Sequence, residues 1–405
     1  MRLTDEEKRM LNGEAGESVR VAMDILTALG EIYGAEDMIP IQSAHIAGLS
    51  LKSHGIAGME WAEDMARNGA RVRVPTTMNV VGVDRSRDLG LPEDWVKYQM
   101  RIEKAYEDMG CYGTSSCVPY YQGFLPKFGE SIAWAESSAV VFTNSVLGAR
   151  DNREGGPSAL AAALAGRTPR HGLHLDENRK GDILFKVTVP LNDLADYGAL
   201  GNYVGKLVGE KNPVFENIGT PTTEALVYLG AALASAGGVA LFHAIGITPE
   251  APTRESVLSG SYETLEIGEK ELAQGYDNMT SGKSREVDYV AIGCPHCSLN
   301  QLAEVADLLK GKKVAEGVTL WVHTNIAIKS LAKEFGYMDI IENAGGILTQ
   351  DLCTILGNPE ALGATSLATN SAKMAFYAPG SNGFGVWYGS VVNCINAAVS
   401  GIWNA

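Results

Sequence analysis

Cysteine is scarce in this chain, with six in 405 residues, and its first residues contain no apolar stretch that could act as a secretory signal. A framework of disulfide staples is not expected. The thiols should lie in a reducing compartment, the cytoplasm, as metal ligands, redox groups or small core residues. Basic charge is also in short supply: 33 Lys and Arg against 48 Asp and Glu leave a formal net charge of −15. Attraction to nucleic-acid phosphates or anionic lipid is therefore opposed, and neither is an expected partner. Long hydrophobic runs are missing except at 225–247, where Gly237-Gly238 splits the stretch and Glu224 and Glu250 flank it. That pattern predicts a buried helix followed by a buried strand, not a membrane span. Repeats, low-complexity tracts and Pro/Ser-rich linkers are absent as well. What remains, 45% apolar and 20% charged residues, is a globular chain long enough for two or three domains.

Local patterns give the architecture. Thr4 and Glu7 form a capping box for a short helix ending near Gly13, and Ser18 is placed to cap a second whose face carries Val19, Ala22, Ile25, Leu26 and Leu29. Residues 38–44 read as a strand leading into His45 and a Gly-rich connector, 59–68 as a helix, and 71–83 as a strand broken at Pro75. Further strands are expected at 182–189, 238–245, 287–292 and 319–322. Strand and helix alternating in this way predict an α/β fold of several domains with mostly parallel sheets. The polar stretches 167–181 and 278–285 suggest regions at 1–180, 181–285 and 286–363. The Gly-rich segment 364–405 reads as a site-forming piece and not as a separate domain.

The strongest local chemical feature is Cys294-Pro-His-Cys297, between the strand pattern VDYVAIG and the amphipathic SLNQLAEVADLLKG. A helix N-terminus stabilises a thiolate there, which serves disulfide exchange or iron ligation equally well. A closed zinc site normally requires a second nearby pair, and none follows at regular spacing. Cys117, in GTSSCVPY, and Cys353, in QDLCT, sit among residues whose backbone amides can point at sulfur. Three thiolates drawn together from such distant segments bind three corners of a cubane cluster and leave one iron open. Spacing alone leaves their convergence undecided.

Taken together, the motifs resemble the aconitase X family, the large catalytic subunits of aconitase-superfamily dehydratases. The resemblance is carried over nearly the whole chain by SAHIAGLSLKSHG (43–55), VPTTMN (74–79), SSCVPYY (115–121), WAESSAVVFTNSVLGARDNREGGP (134–157), FHAIGITPEAPT (242–253), IGCPH (292–296), DLC (351–353) and LATNSAKMAFYAPG (367–380). It implies an aconitase-like set of α/β domains around a central cleft. It further implies Cys117, Cys294 and Cys353 as ligands of an iron–sulfur cluster, a [4Fe–4S] centre with one open iron. Cys111, Cys297 and Cys394 are left over. Cys297 is the notable departure, since that family position often holds a small residue and a fourth thiolate would close the open iron.

An open iron suits elimination of water from a β-hydroxy acid, because it can stabilise both the developing carbanion and the departing hydroxide. Arg150 and Arg153, with Asn152 between them, are candidates for carboxylate or phosphate recognition, or for a solvated capping role. Asn144, Ser145, Thr76, Thr77 and Asn79 either bond substrate or satisfy loop backbone. Lys52, Ser53 and His54 form a cationic, hydroxyl-bearing group beside Gly55 where a phosphate could rest. Asn370, Ser371 and Lys373 are further anion candidates. His45 is read as an acid or as a core histidine, and Glu136 as a proton carrier or, preferably, the salt-bridge partner of Arg150. Family members of this kind dehydrate mevalonate 5-phosphate, giving trans-anhydromevalonate 5-phosphate, or cis-3-hydroxy-L-proline. The chain starts directly with the large-subunit motifs, which the resemblance associates with split enzymes, so a separate small swivelling subunit is expected to supply a serine base. The phosphorylated substrate is favoured by Lys52-Ser53-His54 and by the lack of an acid within 43–55 and 74–79. Non-catalytic and redox readings, an iron-dependent sensor or a CxxC thiol oxidoreductase, stand as the alternatives.

Overall fold

The computed structural model describes residues 1–404. The first region is built on a three-stranded parallel sheet, with Ala44–Ile46 between Thr76–Met78 and Ala133–Trp134. The capping box at Thr4 starts the helix Asp5–Leu11. The next helix, Glu17–Ile32, begins two residues earlier than expected, with Gly16 as its cap, and Ser18 is buried instead. The single strand expected at 38–44 is two short ones. Met38–Pro40 pairs antiparallel with Arg167–Pro169, whereas Ala44–Ile46 enters the parallel sheet; Pro40, lacking an N–H, ends the first ladder. The expected glycine-rich connector is mostly helix: Leu51–Arg67 is capped by Ser50, whose Oγ accepts from Ser53 N, and bends at Gly55, φ 66°. Of the strand expected at 71–83 only Thr76–Met78 pairs in the sheet, and the rest runs on as a loop with a structural role described below.

The second region carries a parallel four-stranded sheet in the order His243–Ala244, Pro213–Glu216, Ile183–Val187, Glu263–Ile267. The apolar run at 225–247 is the buried helix Thr223–Gly237 followed by the buried strand His243–Ala244. This helix lies hard against Leu194–Val208; a Cβ at Gly201 would come within 2.6 Å of Leu229 O, so close packing of the two backbones requires glycine there. No helix among the described residues is long and apolar enough to cross a membrane.

The third region is a five-stranded parallel sheet in the order Ile347–Gln350, Thr319–Thr324, Tyr289–Ile292, Ser366–Thr369, Gly385–Tyr388. The segment 364–405 therefore contributes two strands and the helices Ala372–Asn382 and Val391–Ser400 to the sheet begun at residue 289. Its glycines obscured this in the sequence, because the paired stretches are only four residues long and carry little periodic signal. Residues that follow strands of the first sheet, such as Ala47 and Asn79, and of the third, such as Cys294, line one cavity, the usual place for a site in parallel α/β architecture.

Candidate active site

One loop organises the site. Beyond the strand Thr76–Met78, the chain 79–85 runs between two cysteine-bearing segments. Ser116 N donates to Met78 O (3.0 Å) on one side; on the other, Val81 N donates to Asp351 O (2.8 Å) and Cys353 N to Val81 O (3.2 Å). Cys294 arrives from the end of the central strand of the third region, Tyr289–Ile292. Gly293 makes that exit possible: its φ is 101°, and a Cβ would stand 2.2 Å from His323 O.

His296 joins all three segments. Its backbone N donates to Cys117 Sγ (3.3 Å), its Nε2 to Leu352 O (3.0 Å), and its Nδ1 contacts Ser116 Oγ (3.2 Å). Because a carbonyl only accepts, Nε2 carries the proton and Nδ1 accepts from the serine hydroxyl. Full burial holds this imidazole neutral, its pKa pushed down to about 4.

Cys117, Cys294 and Cys353 line one cavity of about 330 Å³, together with Ser53, Asn79, Glu136, Ser137, Lys373, Tyr377 and Ser381. The Cys294 thiol donates to Cys353, which raises the first and lowers the second; burial raises Cys117. Backbone N–H groups of Ile355 and Leu356 also favour thiolate at Cys353. No group of three His, Cys, Asp or Glu among the described residues is arranged to hold a single metal ion. Three thiols around one space, each aimed from a different segment, suit separate irons of a cluster instead. Asn79 Oδ1, buried at the cavity wall, has no hydrogen-bond partner.

Above the thiols lies a buried ion pair. Lys373, in the first turn of the helix capped by Ser371, pairs with Glu136 and donates to Ser137 Oγ (3.1 Å). Burial alone would raise the Glu136 carboxyl. The ammonium of Lys373 and hydrogen bonds from Lys373, Ser138 and Asn79 outweigh it and hold the carboxyl at about 2. Burial likewise opposes charge on Lys373, and Glu136 with the neighbouring thiols overrides it. Ser371 Oγ also donates to Cys294 O, so one helix cap fixes both a thiol segment and the ammonium.

The sequence paired Glu136 with Arg150, and the structure corrects this. Arg150 turns away to Glu250 (2.9 Å) and Asp176 (2.9 Å), on the side of its turn that faces the second region. Several other candidates also serve the framework. Arg179 Nη1 and Asp151 N donate to Asn144 Oδ1, Asn144 Nδ2 bonds Ala240 O, and Ser145 Oγ accepts from Phe242 N. The bonds to Ala240 and Phe242 attach the first region to the second. Asn152 bonds His171 and Leu173, and Arg153 bonds Gly238 O. Both border a separate, larger cavity of about 990 Å³ that contains none of the cysteines.

Thr76 bonds Val74 O, and Thr77 bonds His45 Nδ1 (2.7 Å). His45 is fully buried behind the cavity, with burial pushing its pKa to about 4 and no partner at Nε2. Of the Lys52-Ser53-His54 group only Ser53 lines the cavity; Lys52 pairs with Glu360 (3.2 Å) and His54 bonds Gly48 O. Asn370 borders a further cavity of about 450 Å³. Cys297 packs in the core of the third region, its N–H on His323 O, and the following helix begins only at Leu299. Residues the sequence reading did not single out are His296, Ser137, Ser138, Tyr377 and Ser381. Only His296 carried a signal, its place inside the cysteine motif.

Models of the aconitase X first, second and third domains match residues 1–177, 181–277 and 287–400. The chain belongs to the aconitase X family. It is 45% identical over 388 residues to the phosphomevalonate dehydratase large subunit of Methanocaldococcus jannaschii, covering 94% of this chain and 95% of that one. The cis-3-hydroxy-L-proline dehydratase of Pseudomonas aeruginosa is 37% identical over 409 residues, covering 99% of this chain and 70% of that one. Among solved structures, the holo form of Thermococcus kodakaraensis aconitase X superposes with a TM-score of 0.91 at 42% identity, covering 98% of this chain and all of that one. As in other family members, the activity to be accounted for is that of a dehydratase.

Proposed function

We propose that this chain is the large subunit of a hydro-lyase that removes water from (R)-5-phosphomevalonate to give trans-anhydromevalonate 5-phosphate. Cys117, Cys294 and Cys353 are the residues that would hold its iron–sulfur cluster, of the [4Fe–4S] type with one iron left without a protein ligand. When bound, the cluster supplies Lewis-acid stabilisation to the carboxylate and hydroxyl of a β-hydroxy acid.

The chain's own residues do the rest. Lys373 has three N–H donors, two of them engaged by Glu136 and Ser137, and the third is free to take an anionic substrate oxygen. Its buried position makes that charge worth more than it would be in water. Ser53, Ser137 and Ser381 add hydroxyl donors around the same space, while Val80, Pro295, Ile355 and Leu356 form apolar walls that displace water. Glu136, the one carboxylate among the described lining residues, is committed to Lys373 and held far below neutrality. It is a poor proton acceptor at pH 7. The base that removes the proton is therefore assigned to a separate small subunit, which also closes the cleft.

The observation that carries the substrate choice is this use of charge: the cavity offers an ammonium and no free carboxylate. A phosphorylated carboxylate is matched by that arrangement, whereas the ring ammonium of hydroxyproline would lack a counter-ion. Identity of 41–45% to four phosphomevalonate dehydratase large subunits, against 37% to the Pseudomonas aeruginosa hydroxyproline enzyme, supports the same choice. The redox alternative is disfavoured because Cys297 is buried in a different core from the cavity. Anaerobic reconstitution with the small subunit and parallel assay on both substrates tests the proposal. Turnover of mevalonate 5-phosphate is expected; turnover of cis-3-hydroxy-L-proline alone would overturn it.

A further inference from the structure

We infer that Arg85 is a positioning residue that sets the spacing of the Cys117 and Cys353 loops by fastening both to the segment after the strand Thr76–Met78. The inference rests on the cluster reading above and concerns a residue outside both the cysteine motifs and the cavity lining.

The guanidinium of Arg85 lies between the two loops. Its Nη2 donates to Gly113 O at 2.7 Å, four residues before Cys117 in the sequence. Its Nε and Nη2 reach Asp351 Oδ2 at 3.2 Å and Oδ1 at 3.4 Å, two residues before Cys353. On its outer side Nη1 bonds Glu107 Oε1 at 3.0 Å, and Nε is 3.2 Å from Glu103 Oε2. The two glutamates sit on the helix Glu93–Asp108, so the fork also ties the loops to a rigid element.

Few backbone bonds hold these loops. Tyr112 N to Thr76 O and Ser116 N to Met78 O on one side, and two bonds around Val81 on the other, join them to the strand Thr76–Met78 and the segment after it. Each loop also contains a non-glycine residue in the left-handed region, Ser115 at φ 35° and Asp351 at φ 65°. Such conformations persist only where the surroundings over-determine them. Arg85 supplies that constraint by gripping Asp351 through its own carboxylate and the Cys117 loop through Gly113. A planar fork with five donors can meet these acceptors together. A lysine ammonium, a point charge with three donors, cannot span them.

The test uses the full chain, reconstituted anaerobically with ferrous iron and sulfide, comparing wild type, Arg85→Lys, Glu103→Gln and the triple variant Arg85→Met/Asp351→Asn/Glu103→Gln. Near-UV circular dichroism reports folding, iron and sulfide per chain report loading, and loss of iron to a chelator reports retention. Arg85→Lys and the triple variant are expected to fold, yet to lose iron faster by on the order of tenfold to a hundredfold. Glu103→Gln keeps the bonds to Gly113 and Asp351 and should retain iron as the wild type does. Wild-type retention in Arg85→Lys overturns the inference, and so does equal loss in Glu103→Gln. Failure of both Arg85 variants to fold overturns it too, since Arg85 would then hold the domain itself. A wild-type chain that takes up no iron overturns the cluster reading and this inference with it.

Discussion

The backbone N–H of His296 points at Cys117 Sγ from 3.3 Å, although 179 positions separate the two residues in the chain. Through that contact and the bond from its ring to Leu352 O, one histidine brings the segments of all three cavity cysteines into register. A donor aimed at sulfur favours thiolate, the form in which a cysteine binds iron.

Replacing the cysteines should separate ligands from packing. Cys117→Ala, Cys294→Ala and Cys353→Ala are each expected to abolish stable iron loading and dehydratase activity, measured by iron and sulfide analysis after anaerobic reconstitution. Cys297→Ala should load iron normally and lose about 1 kcal/mol of stability in urea, the cost of a small cavity in the third core.

Breaking the buried ion pair should cost both stability and rate. Lys373→Met leaves the Glu136 carboxylate buried without its cation, so a loss of about 3–5 kcal/mol is expected. The freed carboxyl should titrate upward from about 2. The double variant Lys373→Met/Glu136→Gln should recover most of the stability. Its kcat should stay depressed, by on the order of a hundredfold or more, if the ammonium serves the reaction. Urea denaturation paired with steady-state assays distinguishes the two effects.

Arg150 makes the converse case. Its bonds to Glu250 and Asp176 lie outside the thiol cavity, so Arg150→Met should reduce stability by about 1–3 kcal/mol and leave KM unchanged. A large rise in KM without loss of stability would return Arg150 to the site.

Acid should destabilise the fold through buried neutral histidines. Burial pushes His174 and His323 down to about 3. The unfolded chain, with ordinary values near 6.5, then binds more protons than the folded chain below that pH. Their contribution is complete above about pH 6.5 and is lost as pH falls toward about 3, with a slope of about 1.4 kcal/mol per unit for each group. Urea midpoints from pH 7.5 to 4.5 should show the decline, and His174→Gln should flatten it.

Much of the architecture was legible in local patterns. The capping box at Thr4, the split apolar run at 225–247 and the strand before Cys294 correspond to the helix Asp5–Leu11, the pair Thr223–Gly237 and His243–Ala244, and the strand Tyr289–Ile292. Strands of two to four residues were harder to place, since they are too short for alternation to register. Within the site, thiols were conspicuous because cysteine is rare. Lys373 is legible as a residue type suited to anions and Asn79 as a hydrogen-bonding one, but their partner Glu136 is expected on Arg150, and nothing local in the chain points across to Lys373.

By itself the sequence determined the inventory: which segments favour helix or strand, how few thiols there are, and a charge balance that disfavours polyanions. Those properties belong to single residues and their immediate neighbours. Only the tertiary structure decided that Glu136 faces Lys373, 237 positions away, and that Cys117, Cys294 and Cys353 share one cavity while Cys297 does not. Such pairings depend on how separate sheets and loops are packed against one another, and no local preference of the chain encodes the distance between them.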